Sequence, residues 1–475
     1  MYIHNGRNVA HKAFCSKSIM MNKETLTRYS YGGLRMHGNI MSTLRNLVYW
    51  GLDGFKGQPV KSAYDEISIM DQLSSNDPII TKHQEANLGK IINHAISTTD
   101  FYSKYKGHYL DELPVINKNV IREQQERFLS MEYKARRLFE MRTSGSTGTP
   151  FVCYQNSEKK RRVNAEVIYY SEKAGYAVGR NLVFLRALTG QSRKSSLKQW
   201  IQNETLIDIG NLNDTKIESL FSVLRSVTKK GSMMLAYAST YDALRDYFRR
   251  NGFNVAEGTN IVGIISGSEM LFDDTRKSME KAFGCKVFSR YSNQENGIIG
   301  QDDLLNNVFI LNEANYIVEI LDLEKDVPVP DGTVGRIVIT DLYNKAMPLI
   351  RYDTGDIGCL TYVTRNGQKR KAISSFGGRK IDVIYDSLGN RLSPHLITNH
   401  FWSFPEVRQY QFIQQSSRSY LIKLNVVGEF ERLAELRGTL QGLLGEGATL
   451  TFEFVAEIPV LASGKRKYIV NNMSH

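Results

Sequence analysis

The stretch Arg142–Pro150, RTSGSTGTP, carries the densest chemical information in this 475-residue chain. Its ligand-binding candidates are Thr143, Ser144, Gly145, Ser146, Thr147, Gly148 and Thr149. Glycine lets the backbone approach a ligand closely, and hydroxyl groups beside free amide N–H groups form a concave set of donors that suits phosphate oxygens. No lysine follows Gly148, so the P-loop of kinases and GTPases is excluded. A flexible surface turn has the same composition and remains the alternative.

Composition and charge fit a soluble globular protein of two or three domains. Hydrophobic residues make up 41% of the chain and charged residues 23%, which is ordinary for a folded protein. The formal net charge is +12, but the lysines and arginines are spread along the chain without a long basic tract interleaved with aromatics. We therefore expect no nucleic-acid partner. A basic surface can still attract ATP, an anionic acid or an anionic membrane face.

The cysteines and apolar runs indicate a cytoplasmic location. Four cysteines lie far apart without a CxxC pair, so neither a zinc site nor a disulfide framework is expected: Cys15, Cys153, Cys285 and Cys359. The longest apolar runs, such as Ile261–Ile265, are much shorter than a membrane span. We recognise no signal-peptide pattern, and we expect at most peripheral contact with the inner face of a membrane.

The N-terminal segment, residues 1–40, carries six Lys/Arg and one acid, Glu24. It is expected to be a basic arm, a targeting segment, or a stretch upstream of a start at Met41. An apolar stripe with helical spacing follows at Leu44, Leu47, Val48 and Leu52. Packing of this stripe into a core is the favoured interpretation, and a helix lying on a membrane is the alternative.

From Phe151 to about Ser289, helical tracts alternate with short apolar runs. The predicted helices are Glu158–Ala174, Ile217–Lys229 and Tyr241–Asn251, and the predicted strands are Leu182–Leu185, Met233–Ala236, Ile261–Ile265 and Lys286–Phe288. This alternation predicts an α/β fold with much parallel sheet. Such sheets collect their active sites in loops at the carboxyl ends of the strands.

Two further regions differ from this alternation. Residues 315–340 are predicted to form a small strand-rich subdomain, with strands at Tyr316–Leu323 and Gly335–Thr340. Near the end of the chain, the strands Tyr420–Val427 and Thr449–Val455 flank a helix at Phe430–Leu443. The last region is predicted to be a compact α+β unit.

The TSGSTGTP motif resembles the phosphate-binding loop of the adenylate-forming enzymes, which include the acyl-CoA synthetases. The flanking sequence is most similar to the phenylacetate-CoA ligase branch, which includes capsular polysaccharide biosynthesis proteins. The resemblance extends from about Leu44 to near the C-terminus, and later motifs follow in the order of the family. It implies a large AMP-binding domain over residues 41–378, which includes the strand-rich subdomain, and a small mobile α+β domain over residues 379–475.

The resemblance assigns nucleotide contacts to two later segments. In the family, a loop similar to Gly267, Ser268 and Glu269 packs its backbone against adenine. The segment Tyr291–Gly297 resembles the Tyr-Gly-x-x-Glu motif, in which the aromatic ring stacks on adenine and the glutamate, here Glu295, helps to hold Mg²⁺. Ser292 stands where the family more often has glycine.

Three more residues acquire roles from the resemblance. Asp356, in RYDTGD, corresponds to the aspartate that accepts the ribose hydroxyls, and Arg379 to an arginine that contacts ribose or phosphate beside the hinge. Ile381 replaces the first of two acids that many relatives have there. Lys465, in the terminal SGK segment, corresponds to the catalytic lysine that neutralises charge during adenylation.

The resemblance implies an ATP- and Mg²⁺-dependent ligase that converts a small carboxylic acid to an acyl-adenylate and transfers the acyl group to CoA, an amino sugar or a carrier protein. A nucleotide-binding scaffold without chemistry and a membrane-surface accessory protein of an envelope pathway remain alternatives, and a homodimer is left open. The acid pocket is expected between Tyr237, Tyr241 and the loop after Ser266, although both tyrosines can equally fill core.

Overall fold

The computed structural model describes residues 40–143, 151–186, 194–209, 214–267, 270–379, 384–389, 391–392, 397, 400–401, 403–404, 406–426, 428–459 and 467–473. All of them lie within one unit, residues 37–475. The predicted N-terminal arm lies outside the described residues, apart from Ile40.

The described strands of the N-terminal part form a short antiparallel pair and one large central sheet. In chain order they are β1 (Phe139–Thr143), β2 (Phe151–Gln155), β3 (Asn181–Arg186), β4 (Glu204–Asp208), β5 (Ser232–Tyr237), β6 (Ile261–Gly267), β7 (Val287–Asn293), β8 (Gly297–Asp302), β9 (Phe309–Leu311), β10 (Tyr316–Leu321), β11 (Val334–Asp341), β12 (Tyr352–Arg365) and β13 (Gln368–Arg379). β1 and β2 form a separate antiparallel pair, and the other strands form one 11-stranded sheet in the order β10-β11-β12-β13-β9-β8-β7-β6-β5-β3-β4.

The sheet is half parallel and half antiparallel. Strands β4, β3, β5, β6 and β7 run parallel to their neighbours, and the pairs from β7 to β10 are antiparallel. The predicted α/β class is confirmed. The predicted strands of residues 315–340 form β10 and β11, which continue the same sheet rather than a separate one.

The described α-helices of at least four residues are α1 (Ile40–Phe55), α2 (Pro59–Met70), α3 (Pro78–Thr98), α4 (Lys118–Glu123), α5 (Gln125–Phe128), α6 (Ser157–Lys173), α7 (Ser196–Gln202), α8 (Asp214–Val227), α9 (Ala238–Asn251), α10 (Asp273–Phe283) and α11 (Leu433–Leu444). Helices α6, α8 and α9 are the three predicted between residues 158 and 251. None of the described helices is long and apolar enough to cross a membrane.

The parallel strands are buried on both faces, as adjacent side chains of one strand show. Met234 and Ile264 pack with α8, α9 and α10, whereas Met233 and Ile265 belong to a separate cluster on the opposite face. Consecutive side chains of a strand point to opposite faces. A continuous apolar run such as Ile261–Ile265 therefore fits a strand that is covered on both sides.

Helix α1 contradicts the favoured sequence interpretation. Its apolar stripe does not enter a core: Leu44, Leu47, Val48 and Leu52 are each more than half exposed. The opposite side of the helix faces the protein instead: Asn46 Nδ2 donates to the carbonyl of Val178 at 3.2 Å, and Tyr49 and Trp50 pack against the core. Helical spacing identifies a stripe, but it does not state which side of the helix meets the protein.

The C-terminal part has its own sheet and core. Strands β16 (Val407–Gln414), β17 (Ser419–Val426), β18 (Thr449–Phe454) and β19 (Ile469–Asn471) form a sheet in the order β18-β17-β16-β19, and β14 (Ile384–Tyr385) pairs with β15 (Arg391–Leu392). Helix α11 packs on this sheet through Leu436, Leu440 and Leu444. The α+β character is confirmed, and a domain boundary at residues 378/379 remains a prediction.

Tyr468 joins this part to the larger one near the candidate catalytic segment. The Tyr468 hydroxyl donates to Asp242 Oδ2 of α9 at 3.0 Å. The ring of Tyr468 meets the ring of Phe272 edge-on, with centroids 5.9 Å apart. Tyr468 follows Lys465 by three residues in the sequence.

A buried polar network ties α6 to the antiparallel half of the sheet. Lys159 Nζ lies 2.7 Å from Asp341 Oδ2, and both side chains are fully buried. The same ammonium group donates to the Tyr316 hydroxyl at 3.0 Å. Glu166, about two turns further along α6, accepts the backbone N–H of Ile298 at 2.8 Å. One helix therefore holds strands β8, β10 and β11.

We predict that Lys159→Met lowers the free energy of unfolding by about 3–5 kcal/mol, because the substitution leaves the Asp341 carboxylate buried without its cation. The measurement is urea denaturation followed by circular dichroism. Arg161→Met, at an exposed position of the same helix, is the control and should change stability by less than about 0.5 kcal/mol. Equal destabilisation by both substitutions would contradict the role of the ion pair.

Candidate active site

The carboxyl ends of the parallel strands border a cavity of about 290 Å³. Its wall includes Tyr237 at the end of β5, Gly267 at the end of β6 and Asn293 at the end of β7. Lys160 of α6 and Phe184 of β3 also line the cavity. The cavity therefore lies where the alternating pattern predicts an active site.

Tyr291 and Asp356 meet at this edge of the sheet. The Tyr291 hydroxyl donates to Asp356 Oδ2 at 3.0 Å. Burial, reinforced by the neighbouring Asp356 carboxylate, raises the pKa of Tyr291 well above its ordinary value, so the tyrosine stays protonated and can donate. Across the β12–β13 ladder, Asp356 is the register partner of Arg379. The two predicted ribose contacts are thus neighbours on adjacent strands.

Glu295 is buried beside a lysine and a tyrosine that the sequence did not connect with it. Its side chain is 1% exposed, and Oε1 lies 2.7 Å from Lys118 Nζ. The Tyr352 hydroxyl donates to the same oxygen at 3.1 Å. The other oxygen, Oε2, is buried and accepts no hydrogen bond from the described residues. A carboxylate oxygen without a partner is a ready ligand for a cation.

The two ends of the glycine-rich loop lie beside Glu295. Thr143 and Phe151 flank the loop and are register partners in the β1–β2 pair. Lys118 Nζ lies 5.7 Å from the centre of the Phe151 ring, while Gln155 of β2 donates to the backbone carbonyl of Glu295 at 3.0 Å. The loop residues themselves, 144–150, lie outside the described part of the chain.

The structure brings together the predicted site residues that it describes. Gly267 is the register partner of Arg290, the residue before Tyr291, and Tyr291 contacts Asp356. The predicted residues outside the described part are Ser144, Gly145, Ser146, Thr147, Gly148, Thr149, Ser268, Glu269 and Lys465, together with the hinge residue Ile381. For Thr143 and Arg379 the structure describes the backbone only. The nucleotide roles of all these residues remain predictions.

The donor set around Glu295 fits Mg²⁺. Among the described residues there is no group of three or more His, Cys, Asp or Glu side chains that could hold a metal. Mg²⁺ does not require such a group, because it is usually held by one or two carboxylates together with phosphate oxygens and water. The unpartnered Oε2 of Glu295 supplies one such carboxylate oxygen.

Sequence reasoning missed Lys118 and Lys160. Lys118 lies far from Glu295 in the sequence, and no spacing rule connects them. Lys160 lines the cavity, where partial burial lowers the pKa of its ammonium group. Its signal in the sequence was a run of basic residues on a helix, which is typical of a solvated face.

The two tyrosines that the sequence left undecided are now distinguished. Tyr237 lines the cavity. Tyr241 is fully buried, and its hydroxyl donates to the carbonyl of Ile265 at 3.1 Å. Tyr241 is therefore part of the core, and only Tyr237 can meet a ligand in the cavity.

Comparisons with known proteins agree with this arrangement. Residues 384–472 match the family described as the CapK C-terminal domain. Protein CapK of Staphylococcus aureus is 23% identical over 459 residues, which cover 92% of this chain and 97% of that protein. A phenylacetate-coenzyme A ligase of Thermus thermophilus is 32% identical over 134 residues, which cover 27% of this chain and 28% of the ligase.

Solved structures share the fold. The crystal structure of 2-hydroxyisobutyryl-CoA ligase in the postadenylation state, in complex with R3-HIB-AMP, superposes with a TM-score of 0.66 at 15% identity. The match covers 84% of this chain and 91% of the ligase. Both the large domain with its central sheet and the small C-terminal domain therefore have the acyl-CoA ligase fold.

Gly267→Ala tests the predicted adenine contact. A Cβ atom at Gly267 would meet no atom of the described residues within 4 Å, so we expect unchanged thermal stability. If the backbone of this residue lies against adenine, the added methyl group should weaken ATP binding on the order of tenfold, about 1.4 kcal/mol. Isothermal titration calorimetry with ATP measures the effect. Gly89→Ala, where a Cβ also meets nothing within 4 Å, is the control, and equal affinities in both variants would contradict the contact.

Proposed function

The chain belongs to the adenylate-forming superfamily, in the branch of the phenylacetate-CoA ligases and CapK-like proteins, and from this membership we propose that it is an ATP-dependent carboxylate ligase. In the first step, a carboxylate oxygen of the acid attacks the α-phosphorus of ATP. The bond from that phosphorus to the bridging oxygen breaks, and pyrophosphate leaves. In the second step, an acceptor nucleophile attacks the acyl carbon, gives up its proton and displaces AMP.

One observation carries the proposal: side chains from three distant segments converge beside the ends of the glycine-rich loop. Asp356, which by the resemblance would accept the two ribose hydroxyls, accepts a hydrogen bond from the Tyr291 hydroxyl at 3.0 Å. Glu295 lies next to the loop, because Gln155 of the flanking strand binds its backbone. This is the set of groups that a bound ATP molecule needs at its ribose and at its phosphates.

The charges around the phosphates support adenylation. Phosphoryl transfer depends mainly on positioning and on neutralisation of charge. The Glu295 carboxylate would hold Mg²⁺, which neutralises phosphate charge when it is bound. Lys118 lies 2.7 Å from Glu295 and adds a second cation beside the loop. Lys465, by its resemblance, neutralises charge on the attacking carboxylate and the α-phosphate.

The acid binds in the cavity between Tyr237, Gly267 and α6. Phe184, Val167 and Leu235 give its wall an apolar part, while the Lys160 ammonium adds one positive charge. Burial is the cause of the lowered pKa of Lys160, and no carboxylate of the described residues offsets it. We therefore infer that the acid carries a second anionic or hydrogen-bond-accepting group for Lys160.

The acceptor is a thiol or an amine. CoA is the acceptor named for the similar ligases, and it is the first choice here. An amino sugar or a carrier protein remains the alternative, in accord with the similarity to CapK. This choice does not affect the adenylation step, which can be measured without any acceptor.

The first test is acid-dependent exchange of labelled pyrophosphate into ATP. We predict that one class of acid supports exchange in the wild-type chain, and that Lys465→Ala lowers the exchange rate at least about 100-fold because it removes charge neutralisation at the reacting atoms. ATP binding should change little. Lys423→Ala, which removes a surface lysine paired with Glu453 of the small domain, is the control.

Two outcomes would contradict the proposal. If the Lys465→Ala variant catalyses exchange at the full rate, this lysine has no catalytic role in adenylation. ATP binding without exchange, across a broad panel of acids and with CoA or amines present, would indicate a nucleotide-binding scaffold.

The second test addresses the acid. We predict that Lys160→Met lowers kcat/KM on the order of tenfold for acids with a second anionic group, and has little effect on acids with an apolar tail, since one charge-assisted hydrogen bond is lost. The exposed neighbour Arg161→Met is the control. An equal decrease in kcat/KM for all acids would mean that Lys160 stabilises the helix and does not contact the second group of the acid.

A further inference from the structure

Helix α1 turns toward the protein a side that carries polar residues together with Tyr49 and Trp50, which pack against the core. Ser42, Asn46 and Asp53 follow one another at helical spacing on this side. Asp53 is 6% exposed and accepts the backbone N–H groups of Val60 and Lys61, at 3.1 and 2.9 Å, at the start of α2. These hydrogen bonds fix the rotation of α1 about its axis.

The opposite side of α1 is an exposed apolar stripe. It consists of Leu44, Leu47, Val48, Leu52 and Phe55, which are between 51% and 93% exposed. Monomeric soluble proteins rarely expose contiguous apolar surface of this kind without a binding role.

Helix α7 extends this surface. The Arg45 side chain donates to the carbonyl of Trp200 at 3.2 Å and lies 5.6 Å from the centre of the Trp200 ring, so the two helices are neighbours. On α7, Leu197, Trp200 and Ile201 are each at least 60% exposed. The eight apolar side chains of the two helices are called the α1–α7 face below.

The solvent-accessible charges that α1 and α7 themselves carry have one sign. Both helices are described in full, and the only acid in their sequences is Asp53, which is buried and bonded to α2. The cations at and beside the face are Arg45, Lys56 and Lys198. In the sequence, six further Lys/Arg and one acid directly precede α1. A partner for this face must therefore be apolar and negatively charged.

We propose that the α1–α7 face docks on the surface of an anionic lipid bilayer. Interfacial helices combine an apolar stripe, which enters the boundary between headgroups and acyl chains, with basic residues that attract anionic lipids. Tryptophan is enriched at this boundary because its ring is apolar and its N–H is polar. The arrangement of Trp200 beside Arg45 meets both requirements.

A second copy of the chain fits the face less well. In a twofold dimer the same surface contacts itself. The α1–α7 face would then set Arg45, Lys56 and Lys198 against their own copies, and neither helix offers an exposed acid to pair with them. A lipid surface supplies the missing negative charge.

The proposal is independent of the ligase activity. The face consists of α1 and α7, and neither helix contributes a residue to the cavity or to the contacts of Tyr291, Glu295 and Asp356. The proposed bilayer binding is a property of this surface alone. Its test therefore needs no substrate.

The experiment is flotation of the full chain with vesicles of phosphatidylcholine alone or of phosphatidylcholine mixed with phosphatidylglycerol. We expect binding to the mixed vesicles only, and weaker binding at high salt. The double variant Leu47→Glu/Leu52→Glu should lower the partition coefficient at least about tenfold, because it places charge in the apolar stripe. Leu388→Glu, at an exposed leucine of the C-terminal part, is the control and should bind as the wild type does.

The double variant changes exposed positions only, and an unchanged thermal midpoint and ATP affinity verify its fold. Three results would overturn the proposal: equal flotation with both vesicle types, equal binding of the double variant and the wild type, or no flotation at all. If flotation is absent and sedimentation shows a dimer that Leu47→Glu/Leu52→Glu dissociates, a second copy covers the face.

Discussion

A buried ion pair between Lys159 and Asp341 joins helix α6 to the antiparallel half of the central sheet. Removing two charges from water is costly, so such a pair requires good geometry and further hydrogen bonds. Further hydrogen bonds are present: Lys159 also donates to Tyr316 at 3.0 Å, and Asp341 Oδ1 accepts the backbone N–H of Tyr343 at 2.9 Å, whereas Asp341 Oδ2 has only the charge of Lys159 beside it among the described residues. Glu166 completes the network by binding the backbone of Ile298.

The candidate site depends on this network, because α6 connects the strand that closes the glycine-rich loop with the segment that carries Glu295. The helix directly follows β2, which closes the glycine-rich loop, and its polar residues bind the segment after Glu295. The Tyr316 hydroxyl lies 2.7 Å from the carbonyl of Asn296, the residue after Glu295. Gly297, at φ +124°, leaves no space for a Cβ atom between Glu166 and Tyr316. The metal-binding candidate thus sits on a segment that the core holds rigidly.

The two halves of the central sheet contribute different parts of the site. Parallel strands end at the cavity, as the α/β pattern leads one to expect. The antiparallel strands bring Asp356 and Tyr352 to the same edge, where Tyr291 and Glu295 bind them. The C-terminal part contacts this assembly through Tyr468 and Asp242. The positions of the candidate site residues are therefore set by both kinds of strand pairing.

The sequence by itself determined the fold class and the parallel strands and helices between residues 158 and 289, and it located the motifs around Gly267, Tyr291, Glu295 and Asp356, whose nucleotide roles remain predictions. These features are local, since strand and helix periodicity and motif spacing are written in neighbouring residues. Only the tertiary structure decided that Lys118 pairs with Glu295, that Tyr237 lines the cavity while Tyr241 fills the core, and that the stripe of α1 faces outward. Each of these depends on contacts between residues distant in sequence, and periodicity carries no information about which face of an element the rest of the chain will cover.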